Sequence, residues 1–175
     1  SQLIATFQSP ENLKLLKEQQ EIIGRYERAL VTMRKAYVES AVSRANMDRN
    51  AALAQDAITT LLNRALQLPA GDENRFAMFQ TVSEVREQFL LSRYQVRAYI
   101  AAPNPATEKA ARQQLDAAIA SLDRLGSHFA ANAGDTLRTL TKTMDQYQEA
   151  LELYTSTNNT IIAMRKDMTE YGSSI

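Results

Sequence analysis

The sequence predicts an all-helical protein, and three observations carry that prediction. Gly and Pro number only five and four in 175 residues, while Ala and Leu dominate the apolar residues, which is typical of long helices. Apolar residues recur at alternating steps of three and four. The Gly and Pro residues separate the periodic segments into four helices. Because short turns join antiparallel neighbours, we expect an up-down four-helix bundle with one over-long helix.

The first helix is predicted to begin at Ser9-Pro10-Glu11, which offers a hydroxyl cap, a proline at the first helical position and an acidic first turn. No further proline occurs before Leu68, so the helix would have roughly 58 residues and a length of about 87 Å. The apolar stripe predicted along it contains Leu16, Ile23, Tyr26, Leu30, Met33, Tyr37, Ala51, Ile58, Leu61 and Ala65.

The second helix is predicted between the turn at 68–72 and about Ala102, with Pro103-Asn104-Pro105 as its stop. Asn104 can cap the third helix, since a proline at the first helical position follows it. We expect the third helix to fade near Ala131 and the fourth to run from about Thr136 to Glu170. The apolar stripe assigned to the second helix contains Phe76, Phe79, Leu90 and Ile100.

Composition excludes several classes of function. Twenty basic and twenty acidic residues give no net charge, whereas a nucleic-acid partner favours a basic excess. The chain has no cysteine, and its only histidine is His128, so no thiolate or histidine metal site and no histidine-based nucleophile pair is expected. No phosphate-binding glycine loop is present either. We therefore expect no enzyme and no cofactor. No apolar run is long enough to span a membrane.

The first helix is too long for its partners. Its second half can pack against the other three helices, but the stripe at 10–38 has no counterpart. An unpartnered apolar stripe indicates missing helices or another subunit.

Polar residues interrupt the predicted stripes at one height. Counted from the turns, Arg44, Arg97 and Asn158 all lie about 39 Å below the same end of the bundle. Ser40 lies in the same polar break, and Arg93 lies four residues before Arg97, so these two arginines share a helix face. Clustered guanidiniums repel one another unless an anion joins them, and a carboxylate binds a guanidinium through two parallel hydrogen bonds.

Two interpretations of this cluster remain open. The arginines could hold a small organic acid, or they could pair with carboxylates such as Glu39, Asp48 and Asp167, or extend into solvent. Two tyrosines, Tyr94 and Tyr154, could line a pocket at the same level. The candidate ligand-binding residues are Ser40, Arg44, Arg93, Tyr94, Arg97, Tyr154 and Asn158.

The segment from Leu91 to Tyr99 with the turn at 103–105, the Leu122-Asp-Arg-Leu125 motif, and the segments Tyr147–Leu151 and Met168–Gly172 together resemble the helical bimodular ligand-binding domains of methyl-accepting chemotaxis receptors. The resemblance implies a periplasmic, homodimeric sensor domain of an inner-membrane receptor, built as six helices in two stacked bundles. It also implies that Arg93 and Arg97 contact a small carboxylic acid, such as a citric-acid-cycle intermediate or acetate.

On this interpretation, the first two short helices of such a domain are absent here. Residues 1–39 would be the N-terminal part of a long helix of the membrane-proximal bundle, and residues 40–175 the membrane-distal bundle with the start of its descent to the membrane. The full-length protein would be membrane-anchored. A ligand would clamp the helices and shift the last one along its axis. The alternatives are a structural or adaptor bundle, or the ectodomain of a sensor histidine kinase, which shares the fold.

Overall fold

A computed structural model describes residues 9–173. Within them the chain forms four helices and no strand: α1 (Pro10–Gln67), α2 (Glu73–Ala101), α3 (Pro105–Ser121) and α4 (Asp123–Gly172). The predicted all-helical class is therefore confirmed. No helix of this described range is both long enough and apolar enough to cross a bilayer.

The first three helices begin where the sequence predicted, because side chains bind their free backbone donors. The hydroxyl of Ser9 accepts a hydrogen bond from the N–H three residues later at 3.2 Å, and the carboxylate of Asp72 accepts one from the second residue after it at 2.8 Å. The side-chain oxygen of Asn104 accepts hydrogen bonds from the N–H groups of Ala106 and Thr107. In return, the hydroxyl of Thr107 accepts one from the backbone N–H of Asn104. This exchange forms a capping box that fixes the start of α3.

The segment predicted as the third helix contains one break that the sequence did not predict. α3 ends at Ser121, because Leu122 and Leu125 each bond a carbonyl three residues back rather than four. Such a tightened turn needs neither Gly nor Pro. Helix resumes at Asp123 and runs to a kink at Ala133, close to the end predicted near Ala131. The break predicted at 133–135 is present: Ala133 lies outside helical geometry (φ −147°, ψ 32°), and this kink separates two helices.

The described chain forms two compact units. The central unit is Ser43–Leu153, and the terminal unit combines residues 9–42 with residues 154–173. The predicted division at residue 39 concerns membership of two bundles and stays a prediction.

The core of the central unit follows a heptad pattern. Along α1 the buried side chains are separated by steps of four and three, the spacing of near-parallel helix packing. α3 and the first part of α4 continue with the same spacing from Ala111 to Phe129. The buried apolar residues of α1 in this unit that keep the steps are Met47, Ala51, Ala54, Ile58, Leu61 and Ala65.

On α2 the structure buries a different stripe from the one predicted. Phe76 is 74% exposed and Leu90 is 44% exposed, so the face assigned to the core lies largely in solvent. Apolar residues occupy two faces of α2, and only the face with four- and three-residue steps packs inward. Arg93 and Arg97 therefore flank the core stripe instead of interrupting it. The buried apolar residues of α2 are Met78, Val82, Val85, Phe89, Val96 and Tyr99.

In the terminal unit, α1 leaves an apolar stripe exposed. Leu16, Ile23, Leu30 and Tyr37 are each 39–49% exposed, as expected for a stripe without a partner helix. Tyr37 also contacts the last helix: the guanidinium of Arg165 donates a hydrogen bond to the Tyr37 hydroxyl and lies 5.9 Å from the centre of its ring. This cation–π contact ties the two chain segments of the terminal unit together.

Candidate functional site: an arginine-lined cavity

The central unit contains a cavity of about 250 Å³ bordered by α1, α2 and α4. Its wall combines charged side chains with an apolar lining, the usual design of a small-molecule site. The charged side chains come from α1 and α2, and a single tyrosine represents α4. The lining residues are Arg44, Met47, Asp48, Ala51, Arg93, Val96, Arg97, Ile100, Ala101 and Tyr147.

Helical spacing places the charged groups in two pairs. Arg44 and Asp48 are four residues apart on α1, and Arg93 and Arg97 are four residues apart on α2, so each pair projects from one helix face. Both pairs lie beside core stripes, since Met47 and Val96 are only 2% and 1% exposed. The packing of these apolar neighbours fixes the backbone from which the charged side chains extend, and Arg44, Asp48 and Arg97 are exposed.

Arg93 is held in place by neutral partners. Its guanidinium donates to the side-chain oxygen of Gln55 at 2.9 Å and lies 6.0 Å from the ring centre of Phe89. An amide oxygen and an aromatic face orient the cation without neutralising it. Arg93 therefore presents a full positive charge to the cavity.

Tyr147 supplies a neutral hydroxyl from α4. The residue is 3% exposed, and its ring meets that of Phe89 edge to face, with centres 6.2 Å apart and planes at 71°. Burial raises the pKa of the Tyr147 phenol to about 12; the charge of Asp48 adds to this, while those of Arg93 and Arg97 oppose it. The phenol stays protonated at neutral pH, so it can both donate and accept hydrogen bonds.

The cavity carries a surplus of positive charge. Three guanidiniums and one carboxylate line it, a formal excess of two positive charges. Within residues 9–173, none of the three guanidiniums lies within 4.0 Å of a carboxylate oxygen. Of the carboxylates considered as partners, Glu39 instead contacts Lys35 at 3.7 Å. The arrangement is chemically suited to binding an anion.

The structure brings together three of the seven predicted site residues, Arg44, Arg93 and Arg97. Tyr94 is 68% exposed and does not border the cavity. The remaining three, Ser40, Tyr154 and Asn158, belong to the terminal unit, and a ligand role for them stays a prediction.

Sequence reasoning missed Asp48 and Tyr147 as members of the site. Asp48 was considered only as a pairing partner, although its spacing from Arg44 places both on one face. Tyr147 reads as part of the apolar stripe of the last helix, and no local signal shows that it borders a cavity. Only the packing of α4 against Phe89 reveals that position.

Comparison with known proteins gives two findings. The family model described as the helical bimodular sensor domain matches residues 1–175. The chain is also similar to the methyl-accepting chemotaxis protein McpS of Pseudomonas putida, with 42% identity over 123 residues. That alignment covers 70% of this chain and 19% of the receptor, so the chain spans about a fifth of the length of this curated relative.

Proposed function

Because the chain belongs to the helical bimodular sensor domain family, a non-catalytic kind of domain, we propose that it senses a small organic acid for a chemotaxis receptor. The proposed binding site is the cavity of the central unit. Arg44, Arg93 and Arg97 bind the carboxylate groups, and Tyr147 adds a neutral hydrogen bond.

The observation that carries this proposal is the unneutralised charge of the cavity. Like charges that line one cavity repel one another, and solvent weakens this repulsion for Arg44 and Arg97, which are exposed. Three guanidiniums around one cavity are therefore unfavourable together, and Asp48 alone leaves two positive charges unmatched. A carboxylate relieves that repulsion and forms paired hydrogen bonds with a planar guanidinium. An acid with two carboxylates matches the excess.

The size of the cavity supports a ligand of few atoms. Its 250 Å³ lies below the roughly 300–1,000 Å³ of pockets that take drug-sized ligands. At about 30 Å³ for each water molecule, the cavity has room for about eight water-sized groups. A four-carbon dicarboxylate has this size, whereas a long-chain or polycyclic acid would extend beyond the cavity.

The finer architecture is also part of the proposal. We take the helices of the central unit to form an antiparallel up-down bundle. This is supported by the α3–α4 contacts, because Asp116 binds Gln148 at 2.9 Å while Arg112, four residues earlier, lies 3.9 Å from Glu152, four residues later. We further take two more helices to cover the exposed stripe of residues 10–38, which completes the second bundle of a six-helix domain. In that arrangement residues 1–39 belong to the membrane-proximal bundle and residues 40–175 to the distal one.

In the receptor, this domain lies outside the cytoplasmic membrane and acts as a homodimer. Ligand binding favours one of two states of the helices, and the shift of the last helix along its axis carries the signal across the membrane. The ligand changes that equilibrium only by its difference in affinity for the two states. The same ectodomain would serve a sensor histidine kinase, but the similarity to a chemotaxis protein favours the chemoreceptor.

Thermal unfolding against a panel of organic acids tests this function. The panel contains malate, succinate, citrate and acetate, with amino acids and sodium sulfate as controls. An acid present at a hundred times its dissociation constant should stabilise the protein by about 2.7 kcal/mol. We expect Arg97→Ala to abolish that stabilisation, whereas Arg86→Ala, an exposed arginine of α2 outside the cavity, should retain it.

Two outcomes would contradict the proposal. If no acid raised the unfolding temperature, also with the two further helices present, the alternative of a structural or adaptor bundle would be favoured. In that bundle the exposed stripe of α1 would bind a protein partner. Equal loss of stabilisation in both arginine variants would place the binding site outside the cavity.

A further inference from the structure

Asp48 adds a negative charge to a cavity that is otherwise lined by positive charges. It lines the same cavity as Arg44, Arg93 and Arg97, and among residues 9–173 no cation lies within 4.0 Å of its carboxylate. An ionised carboxylate only accepts hydrogen bonds. It therefore repels a second carboxylate and attracts a hydrogen-bond donor.

Asp48 acts on the same interior point as two of the arginines. The buried phenol of Tyr147 is close enough to Arg93, Asp48 and Arg97 for each of the three charges to influence its pKa. The phenol is thus a marker for a region where cationic donors, an anionic acceptor and a neutral hydroxyl meet. All four groups line one cavity of about 250 Å³, so a ligand that fills it borders both the donors and the acceptor.

We propose that Asp48 makes the cavity selective for small acids that carry a hydroxyl group next to a carboxylate. The inference rests on the proposed function, since it names the class of acid that the same cavity binds. The carboxylates of the ligand face the guanidiniums, and its hydroxyl donates a hydrogen bond to the Asp48 carboxylate. An acid without the hydroxyl leaves Asp48 facing an anion with no donor between them, which lowers its affinity.

The charge balance selects a hydroxyl over an amino group. An ammonium group would also donate to Asp48, but it would bring a cation beside Arg93 and Arg97, with Arg44 also lining the cavity. Repulsion from the guanidiniums outweighs attraction to one carboxylate at similar distances. A neutral hydroxyl makes the same hydrogen bond without that repulsion, so amino acids of the same carbon skeleton should bind more weakly than hydroxy acids.

Calorimetric titration with two matched series tests the inference. The first series is L-malate, succinate and L-aspartate, and the second is L-lactate, propionate and L-alanine; within each, only the substituent beside the carboxylate changes. In the series that the protein binds, we expect the hydroxy acid to bind about tenfold more tightly than the unsubstituted acid, and the amino acid to bind least tightly. The Asp48→Asn variant should reduce the tenfold preference to less than about twofold, mainly because the unsubstituted acid gains affinity.

Asp56→Asn is the matched control, because it removes the same charge from an exposed site on α1 outside the cavity. It should keep the tenfold preference. A preference that is unchanged in Asp48→Asn, or tighter binding of an amino acid, overturns the inference while leaving the organic-acid function in place. If none of the six compounds binds but citrate or acetate does, the inference fails and the organic-acid function stands; if no acid of either panel binds, the proposed function fails as well.

Discussion

Enlarging an apolar residue that lines the cavity tests the volume of the cavity without changing any of the charges that line it. Ala51 borders the cavity and is 2% exposed, whereas Ala54, one turn further along α1, is fully buried and does not line it. Replacing either alanine by leucine adds three carbon atoms, which occupy roughly 80–90 Å³ at the volume of a water-sized group. At Ala51 that is about a third of the 250 Å³ available, whereas Ala54 is fully buried and does not border this cavity.

The two substitutions should therefore change stability in opposite directions. In the Ala51→Leu variant, burial of three carbons contributes about 0.8 kcal/mol each, and fixing the side chain costs about 0.5–1 kcal/mol of entropy. The free energy of unfolding should stay unchanged or rise by up to about 2 kcal/mol. In the Ala54→Leu variant, overpacking should lower it by about 1–3 kcal/mol. The expected difference between the variants is thus at least about 1 kcal/mol and up to about 5 kcal/mol.

Urea unfolding of both variants without ligand measures this difference, provided that the slope against urea matches that of the wild type. Organic acids should no longer stabilise the Ala51→Leu variant, but they should still stabilise the Ala54→Leu variant. If Ala51→Leu lost as much stability as Ala54→Leu, the space beside Ala51 would not be open, and the reasoning from cavity volume would be refuted.

Three further changes test other parts of the structure. The pKa of Tyr147 is about 12 in the folded protein and about 10 in the unfolded chain, so the folded protein holds this proton more tightly. The free energy of unfolding should therefore fall by about 2–3 kcal/mol between pH 10 and 12. Urea unfolding of Tyr147→Phe over the same pH range should lack that part of the fall. Asn104→Ala should cost about 1 kcal/mol through loss of the α3 cap, whereas Asn63→Ala on the exposed face of α1 should be neutral or slightly stabilising in the same urea measurement. Phe89→Ala should cost about 3–5 kcal/mol, and its neighbour Leu90→Ala less than about 1 kcal/mol, because they are 1% and 44% exposed; equal losses would contradict the core stripe assigned to α2.

The helices were predictable from the sequence because their signals are local. Ser9, Asp72 and Asn104 each cap the helix that they precede, and a cap acts within three residues of itself. The break at Leu122 was not predictable, since it changes only which carbonyl each N–H binds and requires no special residue. The sequence carries a helix start more clearly than a tightened turn inside a helical stretch.

The inward face of α2 could not be derived from periodicity alone. Phe79 and Leu90 on one face are as apolar as Val82 and Phe89 on another, and only the neighbouring helices decide which face is buried. The candidate site shows the same limit. Charge and spacing identify Arg93 and Arg97 as one unit, but the approach of Tyr147 from α4 depends on tertiary packing that no single helix encodes.

The unbalanced charge of the cavity makes its attraction for anions depend on ionic strength. Dissolved ions screen charges over about 8 Å at physiological ionic strength and over about 30 Å at 0.01 M. A concave site with two excess positive charges attracts anions over longer distances in dilute water and captures them faster there. Chloride, sulfate and phosphate also compete for the same guanidiniums. On the proposed function, the concentration of acid that half-fills the site should therefore be lowest in dilute buffer and should rise with added salt.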